Sequence, residues 1–184
     1  TDPVTPAALD AVDGCTRALS SLNDLRPHFP VAATVGGLRA FGDRLALRQR
    51  YESPAVDARF RPADAAALVY DALERARLDV LGVRWLTGVA RNLLAHPGAE
   101  DDALRWLAFE IWSGREGPPE KQPGAARARH AIGSSLLDRL GDLSDVLTSH
   151  EAFAERAAQW ALAAAPRLAS LATAESPPPP FPLR

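Results

Sequence analysis

The chain has 184 residues, of which 47% are hydrophobic and 24% charged. That is the profile of one globular domain, long enough to bury a full core. The net charge of −2 gives no electrostatic case for nucleic acid or an anionic membrane surface. Cys15 is the one cysteine, so an intramolecular disulfide is excluded, and its apolar-periodic surroundings predict an inert buried thiol. No run approaches the roughly 20 apolar residues of a membrane span. The N-terminus lacks the basic-then-apolar order of a signal peptide. A cytoplasmic protein is the expectation. Methionine is absent, which fits either removal of a start methionine or a piece of a longer chain.

Thr5 before Pro6 reads as an N-cap with proline at the first helical position. Leu9, Val12, Cys15, Leu19 and Leu22 recur at helical spacing, predicting a helix over 6–21. Residues 23–37 hold two prolines and a Gly-Gly pair. Within them, Val31 to Val35 reads as a short extended segment. Leu38, Phe41, Leu45 and Leu47 predict a helix over 38–51, and Ser53-Pro54 restarts the chain in a short helix to 60. Pro62-Ala63-Asp64 opens a long helix with Leu68, Ala72, Ala76 and Val80 in one i, i+4 row, flanked by Val69 and Leu73. Gly82 is expected to end or kink it, because a helix end favours a left-handed residue. Leu86, Val89, Ala90, Leu93 and Leu94 continue on the next helix, stopped by His96-Pro97-Gly98.

Glu100, Asp101 and Asp102 read as first-turn acids of a helix carrying Leu104, Leu107, Ile111 and Trp112. Residues 113–124 read as a loop. A helix over 125–140, a short turn at Leu143–Leu147, and a helix capped by Ser149 and running to Leu171 follow. Pro166 is a candidate kink. The prediction is all-α: a single multi-helix domain of seven or eight helices over 1–172. The proline-rich tail over 173–184 reads as the start of a linker.

The chain carries no phosphate loop, no GxGxxG after a strand, no HExxH, no CxxC and no DxSxS. The nearest fragment to the last, Asp142-Leu-Ser144-Asp145, has the wrong order. His28, His96, His130 and His150 never fall at i, i+3 or i+4, so no helix face offers a histidine pair to a metal. Arg39, Arg44, Arg48, Arg50, Arg59 and Arg61 fit either an anion patch or a solvated face with scattered ion pairs. Asp71 and Arg75 have the spacing of an exposed pair worth ~0.3–0.5 kcal/mol. Glu74 and Arg77 share a face and are expected to link neighbouring helices. Gly88 sits inside a helix at a cost of about 1 kcal/mol against alanine, so a close crossing by another backbone is expected there. Trp85, Trp106, Trp112 and Trp160 lie among apolar residues, as core or interface. No catalytic residue, metal ligand or cofactor site is assigned.

The order D-A-x-E-x-A-R-(x)4-G-(x)5-G-V-A-x-N-L, from Asp71 to Leu93, resembles the N-terminal region of the T subunit of aerobic cobaltochelatase. Gly42-Asp43 with Ala46-Leu47-Arg48, then Arg59-Phe60 and Pro62, fit upstream. Downstream, Arg115, Pro118-Pro119, Leu140-Gly-Asp-Leu143 and Ala152-Phe153-Ala154 fit. The similarity spans roughly residues 6–165. It implies a subunit that works with an AAA+ ATPase and a large tetrapyrrole-binding subunit to insert cobalt into hydrogenobyrinic acid a,c-diamide. Such a complex implies ATP, Mg and Co, none of them held by this chain. Family members continue through an acidic linker into an integrin-like domain with a metal motif, which this sequence lacks. The expected role is therefore a non-catalytic interaction module of a multi-subunit ligase. Trp85 with its neighbour Arg84, then Trp160, and Arg48 of the arginine-rich stretch, are the candidate interface residues, because tryptophan and arginine are favoured interface anchors. Glu74, Arg77, Gly82 and Gly88 are the candidate structural residues. The rival readings are a stand-alone helical adaptor for another AAA+ ATPase and a helical metal- or tetrapyrrole-binding protein.

Overall fold

The computed structural model describes residues 4–21, 34–98 and 102–174, with side chains to 169. Among them are eight α-helices, one 3-10 turn and no strand. The helices are α1 (Pro6–Ser20), α2 (Val35–Tyr51), α3 (Pro54–Phe60), α4 (Asp64–Trp85), α5 (Thr87–Ala95), α6 (Ala103–Ser113), α7 (Gln122–Asp142) and α8 (His150–Ala174), with the 3-10 turn at Leu143–Val146. Of the expected extended segment at 31–35, residues 31–33 lie outside the described residues. Thr34 caps α2 and Val35 is its first residue. His28, Glu100, Asp101 and the tail beyond 174 also lie outside.

Side-chain caps mark the starts of four of the eight helices. The Thr5 hydroxyl accepts from the Ala8 N–H at 3.2 Å, and Thr34 does the same for Gly37 at 3.1 Å. Asp102 caps α6 through the Arg105 N–H at 3.3 Å, and the Ser149 hydroxyl accepts from Ala152 at 3.4 Å. Each satisfies an amide that the helix leaves orphaned. Helix α7 begins at Gln122, a little earlier than its periodicity suggests, and α8 runs on through Pro166.

Helix α4 is the axis of the domain. It packs against α2, α5, α6 and α8, while α6 lies on α7, α7 on α8, and α1 on α2. From Val69 to Val83 only Asp71 and Arg75 are not buried. A helix surrounded on all sides has no polar stripe. Leu68 departs from the apolar row expected for it: it is 71% exposed, on the outward face of the first turns of α4 with Asp64 and Ala65, while Ala66 and Ala67 face inward.

Three of the four tryptophans lie in the core, Trp106, Trp112 and Trp160. Two of them clamp α7. The Trp112 indole donates to the Leu140 carbonyl at 2.7 Å, and Trp160 donates to the Leu136 carbonyl at 2.9 Å. Helix α7 bends at Gly133, whose φ of 73° and ψ of 170° are not helical. The bend leaves the Ile132 carbonyl to the guanidinium of Arg167, which donates to it at 2.6 Å. Glycine is suited there because φ is positive and a Cβ would lie 3.0 Å from that guanidinium.

Two glycine expectations are corrected. Gly82 does not end its helix; α4 continues to Trp85. Gly82 is instead the close-packing glycine, since a Cβ there would lie 2.6 Å from Leu47 Cδ1 and 2.9 Å from Val89 Cγ1. Gly88 has no atom within 4 Å of such a Cβ, so no backbone crosses it. It is an exposed first-turn residue of α5. Cys15 is also corrected: it is exposed, on α1, which packs mainly on α2 and turns Ala11, Cys15 and Ala18 toward solvent.

Candidate interaction surface

Glu74 and Arg77 do link neighbouring helices, from inside the core. Both are buried, Arg77 at 1% exposure. Arg77 donates to both Glu74 carboxylate oxygens. It also donates to the Tyr51 carbonyl at the end of α2 at 2.8 Å and to the Leu147 carbonyl before α8 at 3.1 Å. Its guanidinium lies 5.4 Å from the centre of the Phe153 ring. One side chain thus ties α4 to two chain reversals, using the planar five-donor fork that lysine lacks.

Around this pair sits a set of polar groups that spacing alone does not single out. His150 Nδ1 accepts from the Ser53 N–H at 3.0 Å. Its Nε2 lies 3.3 Å from Asp57 and 3.5 Å from Glu74. The Tyr70 hydroxyl donates to Asp57 at 2.8 Å. Burial pushes Glu74 up to about 7 despite the bonds from Arg77. Burial, then the charge of Arg77, pushes His150 down. The network holds α3, α4 and α8 together.

A second buried pair joins α4 to α6. Arg105 donates to Asp79 at 2.8 Å, with both side chains under 5% exposed. The sequence did carry a signal for it. Asp79 interrupts Leu78, Val80, Leu81 and Val83, and Arg105 sits between Leu104 and Trp106. A charge inside an apolar run on a buried helix requires an opposite partner. The predicted Asp71–Arg75 pair does not form. Arg61 takes Asp71 through two bonds of 2.7 and 2.6 Å, and Arg75 takes Asp102 at 2.7 Å. Both alternatives present a guanidinium fork to one carboxylate.

The candidate interface residues separate sharply. Residues 84–88 form a continuous exposed run at the junction of α4 and α5. Leu86, with φ −139° and ψ 112°, ends one helix and begins the next. The extended residue turns two large apolar side chains away from the core: Trp85 is 69% exposed and Leu86 43%. Arg84 braces this corner by donating to the Trp112 carbonyl at 2.8 Å. Trp160, the second anchor candidate, is corrected to a core residue at 1% exposure, held by its bond to Leu136. Arg48 is exposed, pairs with Glu52 at 3.1 Å, and lines a cleft between α2 and α4.

Of the arginines of the 39–61 stretch, Arg44 and Arg48 line that one cleft, while others turn to separate partners. Arg50 donates to the Leu19 carbonyl and Arg59 pairs with Glu151. Arg44 donates to the His96 carbonyl. Among the described residues, no group of three or more His, Cys, Asp or Glu is disposed to hold a metal ion. No helix among them is long and apolar enough to cross a membrane.

The family model for cobalamin biosynthesis protein CobT matches residues 20–101. The match holds α2 to α5 and contains Arg48, Glu74, Arg77, Gly82, Trp85 and Gly88, whereas Arg105, His150 and Trp160 lie beyond it. The resemblance to the N-terminal region of the cobaltochelatase T subunit is thus found over a shorter stretch than 6–165. It supports a place in cobalamin biosynthesis. No curated protein and no solved structure matches the chain.

Proposed function

We propose that this chain, carrying a region matched to the family of cobalamin biosynthesis protein CobT, is the helical docking domain of a cobalt-inserting chelatase. Its partner is the AAA+ ATPase subunit, with the large tetrapyrrole-binding subunit completing the complex in the cytoplasm. Cobalt, ATP and magnesium are handled on those subunits. The observation that carries this reading is the Trp85–Leu86 corner, inside the matched stretch. A tryptophan left 69% exposed at a braced helix junction has the chemistry of an interface anchor. Arg84, already fixed to α6, gives the corner rigidity, so little ordering entropy is lost on docking.

The test is a titration of this chain with the separately purified ATPase and large subunits. Saturable binding to the ATPase is expected. Trp85→Ala should weaken it by roughly 30-fold, the ~2 kcal/mol of a central anchor, with the helical signal unchanged. No binding to either subunit at concentrations up to tens of micromolar, on the order of weak transient complexes, would overturn docking.

A further inference from the structure

The Trp85 corner carries charge as well as apolar surface. Residues 80–98, which hold the end of α4 and all of α5, contain Arg84 and Arg91 and no Asp or Glu. Both arginines are exposed. Arg84 comes directly before Trp85. Arg91 lies one turn along α5 from Thr87 and Gly88, on the same exposed stripe. Two cations therefore stand on either side of Trp85 and Leu86, which are 69% and 43% exposed.

Their charges are not cancelled within the domain. Arg84 donates to the Trp112 carbonyl at 2.8 Å, and a neutral carbonyl satisfies one donor of the guanidinium without neutralising it. Among the described residues, neither Arg84 nor Arg91 forms an ion pair. The acids of the neighbouring helices are engaged elsewhere. Asp43 of α2 accepts from Asn92 of α5 at 2.8 Å and lies in the field of Arg39 and Arg44. Asp79 of α4 is held by Arg105. Glu110 of α6 takes Arg129 and the Gly117 N–H. Arg115 and Glu116, beyond the end of α6 that Arg84 reaches, are one cation and one anion. Exposed tryptophan and leucine between two such cations fit a surface that is apolar at its centre and acidic at its edge, because complementary potentials favour docking and like charges oppose it. Anionic lipid is the poorer fit. Polybasic lipid-binding clusters hold about four to eight Lys or Arg, and the net charge of this chain is −2.

The geometry points to the chemistry of the docking partner: the ATPase subunit presents a segment whose apolar centre covers Trp85 and Leu86 and whose flanking carboxylates meet Arg84 and Arg91. This deepens the docking proposed above, and rests on it for which protein supplies the segment but not for the segment's chemistry.

Two probes separate the claims, both used with the whole chain. The first is the purified ATPase subunit. Raising NaCl from about 50 to about 300 mM, which more than halves the screening length, should weaken binding by about threefold or more, mainly by slowing association. Arg91→Glu sets an acid against an acid and should weaken binding by about tenfold or more with the helical signal intact. The second probe is a synthetic amphipathic helical peptide with leucine and phenylalanine on one face and glutamates beside them. Its control carries glutamine at every glutamate. The acidic peptide should bind with Kd at or below about 1 mM and roughly tenfold more tightly than the control, with amide NMR shifts centred on residues 84–91. Trp85→Ala should weaken both peptides. ATPase binding that ignores both salt and Arg91→Glu would overturn this inference and leave docking standing. Equal affinity for the two peptides, or shifts centred elsewhere, would overturn it as well. Acid-selective peptide binding at 84–91 with no binding of the ATPase would uphold the surface chemistry and sink the docking reading. Silence toward both probes, or binding to phosphatidylserine vesicles in place of the acidic peptide, would overturn the inference.

Discussion

Replacing Arg77 by methionine tests the structural centre of the domain. Methionine keeps most of the aliphatic stem, so the change removes charge and donors more than volume. Arg77 is 1% exposed and Glu74 6%. Its loss strands a buried carboxylate and leaves the Tyr51 and Leu147 carbonyls without their donor. Breaking one side of a buried pair costs about 3–5 kcal/mol. For a chain of this length each kcal/mol lowers Tm by about 2–4 °C, so Tm should fall by roughly 6–20 °C. Thermal unfolding followed by circular dichroism, at pH 8 where Glu74 is mainly ionised, reads this directly. The double variant Glu74→Leu with Arg77→Met should regain a large part of the loss, because it no longer buries a lone acid. A single-variant cost below about 1 kcal/mol, the range of exposed pairs, would refute the reasoning. So would a double variant less stable than Arg77→Met.

Gly82→Ala should lower the urea midpoint, because overpacking against Leu47 and Val89 costs about 1–3 kcal/mol and outweighs the ~1 kcal/mol helix gain. Gly88→Ala, with open space around it, should raise the midpoint by up to about 1 kcal/mol equivalent. The reverse ranking in parallel urea titrations would contradict the packing at Gly82. Glu74 ionises near 7 in the fold against an ordinary 4.5. Between those values the folded chain keeps a proton that the unfolded chain has released. Its contribution is therefore full below about pH 4.5 and is lost as pH rises toward 7, by at most about 1.4 kcal/mol per pH unit. His150, pushed down, acts oppositely: its contribution is present above its ordinary value and is lost as pH falls. Because Glu74→Gln retains His150, the stability of wild type relative to Glu74→Gln should decline from pH 5 to 7. A flat or rising difference would contradict the raised value.

What the sequence determined by itself was the set of local features. Thr5 and Ser149 place helix starts because a cap acts within three residues, and Pro54 places another as a proline at the first helical position. The period of apolar residues gives an all-α chain with boundaries close to those observed. Glu74 and Arg77 are legible as partners because three residues along a helix are always neighbours. The order and spacing of several motifs, the run from Asp71 to Leu93 among them, carried the family resemblance. Tertiary structure decided everything that depends on what stands opposite a face. All four tryptophans have the same apolar setting in sequence, yet three are buried and Trp85 is exposed, because the chain turns at Leu86. The sequence put Gly82 at a helix end and Gly88 under a crossing backbone, and the approach of Leu47 and Val89 to Gly82 reverses the two. Asp79 meets Arg105 across 26 residues, and Asp71 prefers Arg61 to its helical neighbour. The arginine cleft joins α2, α4 and α6. Periodicity names a face, but only packing supplies the atoms that fill it.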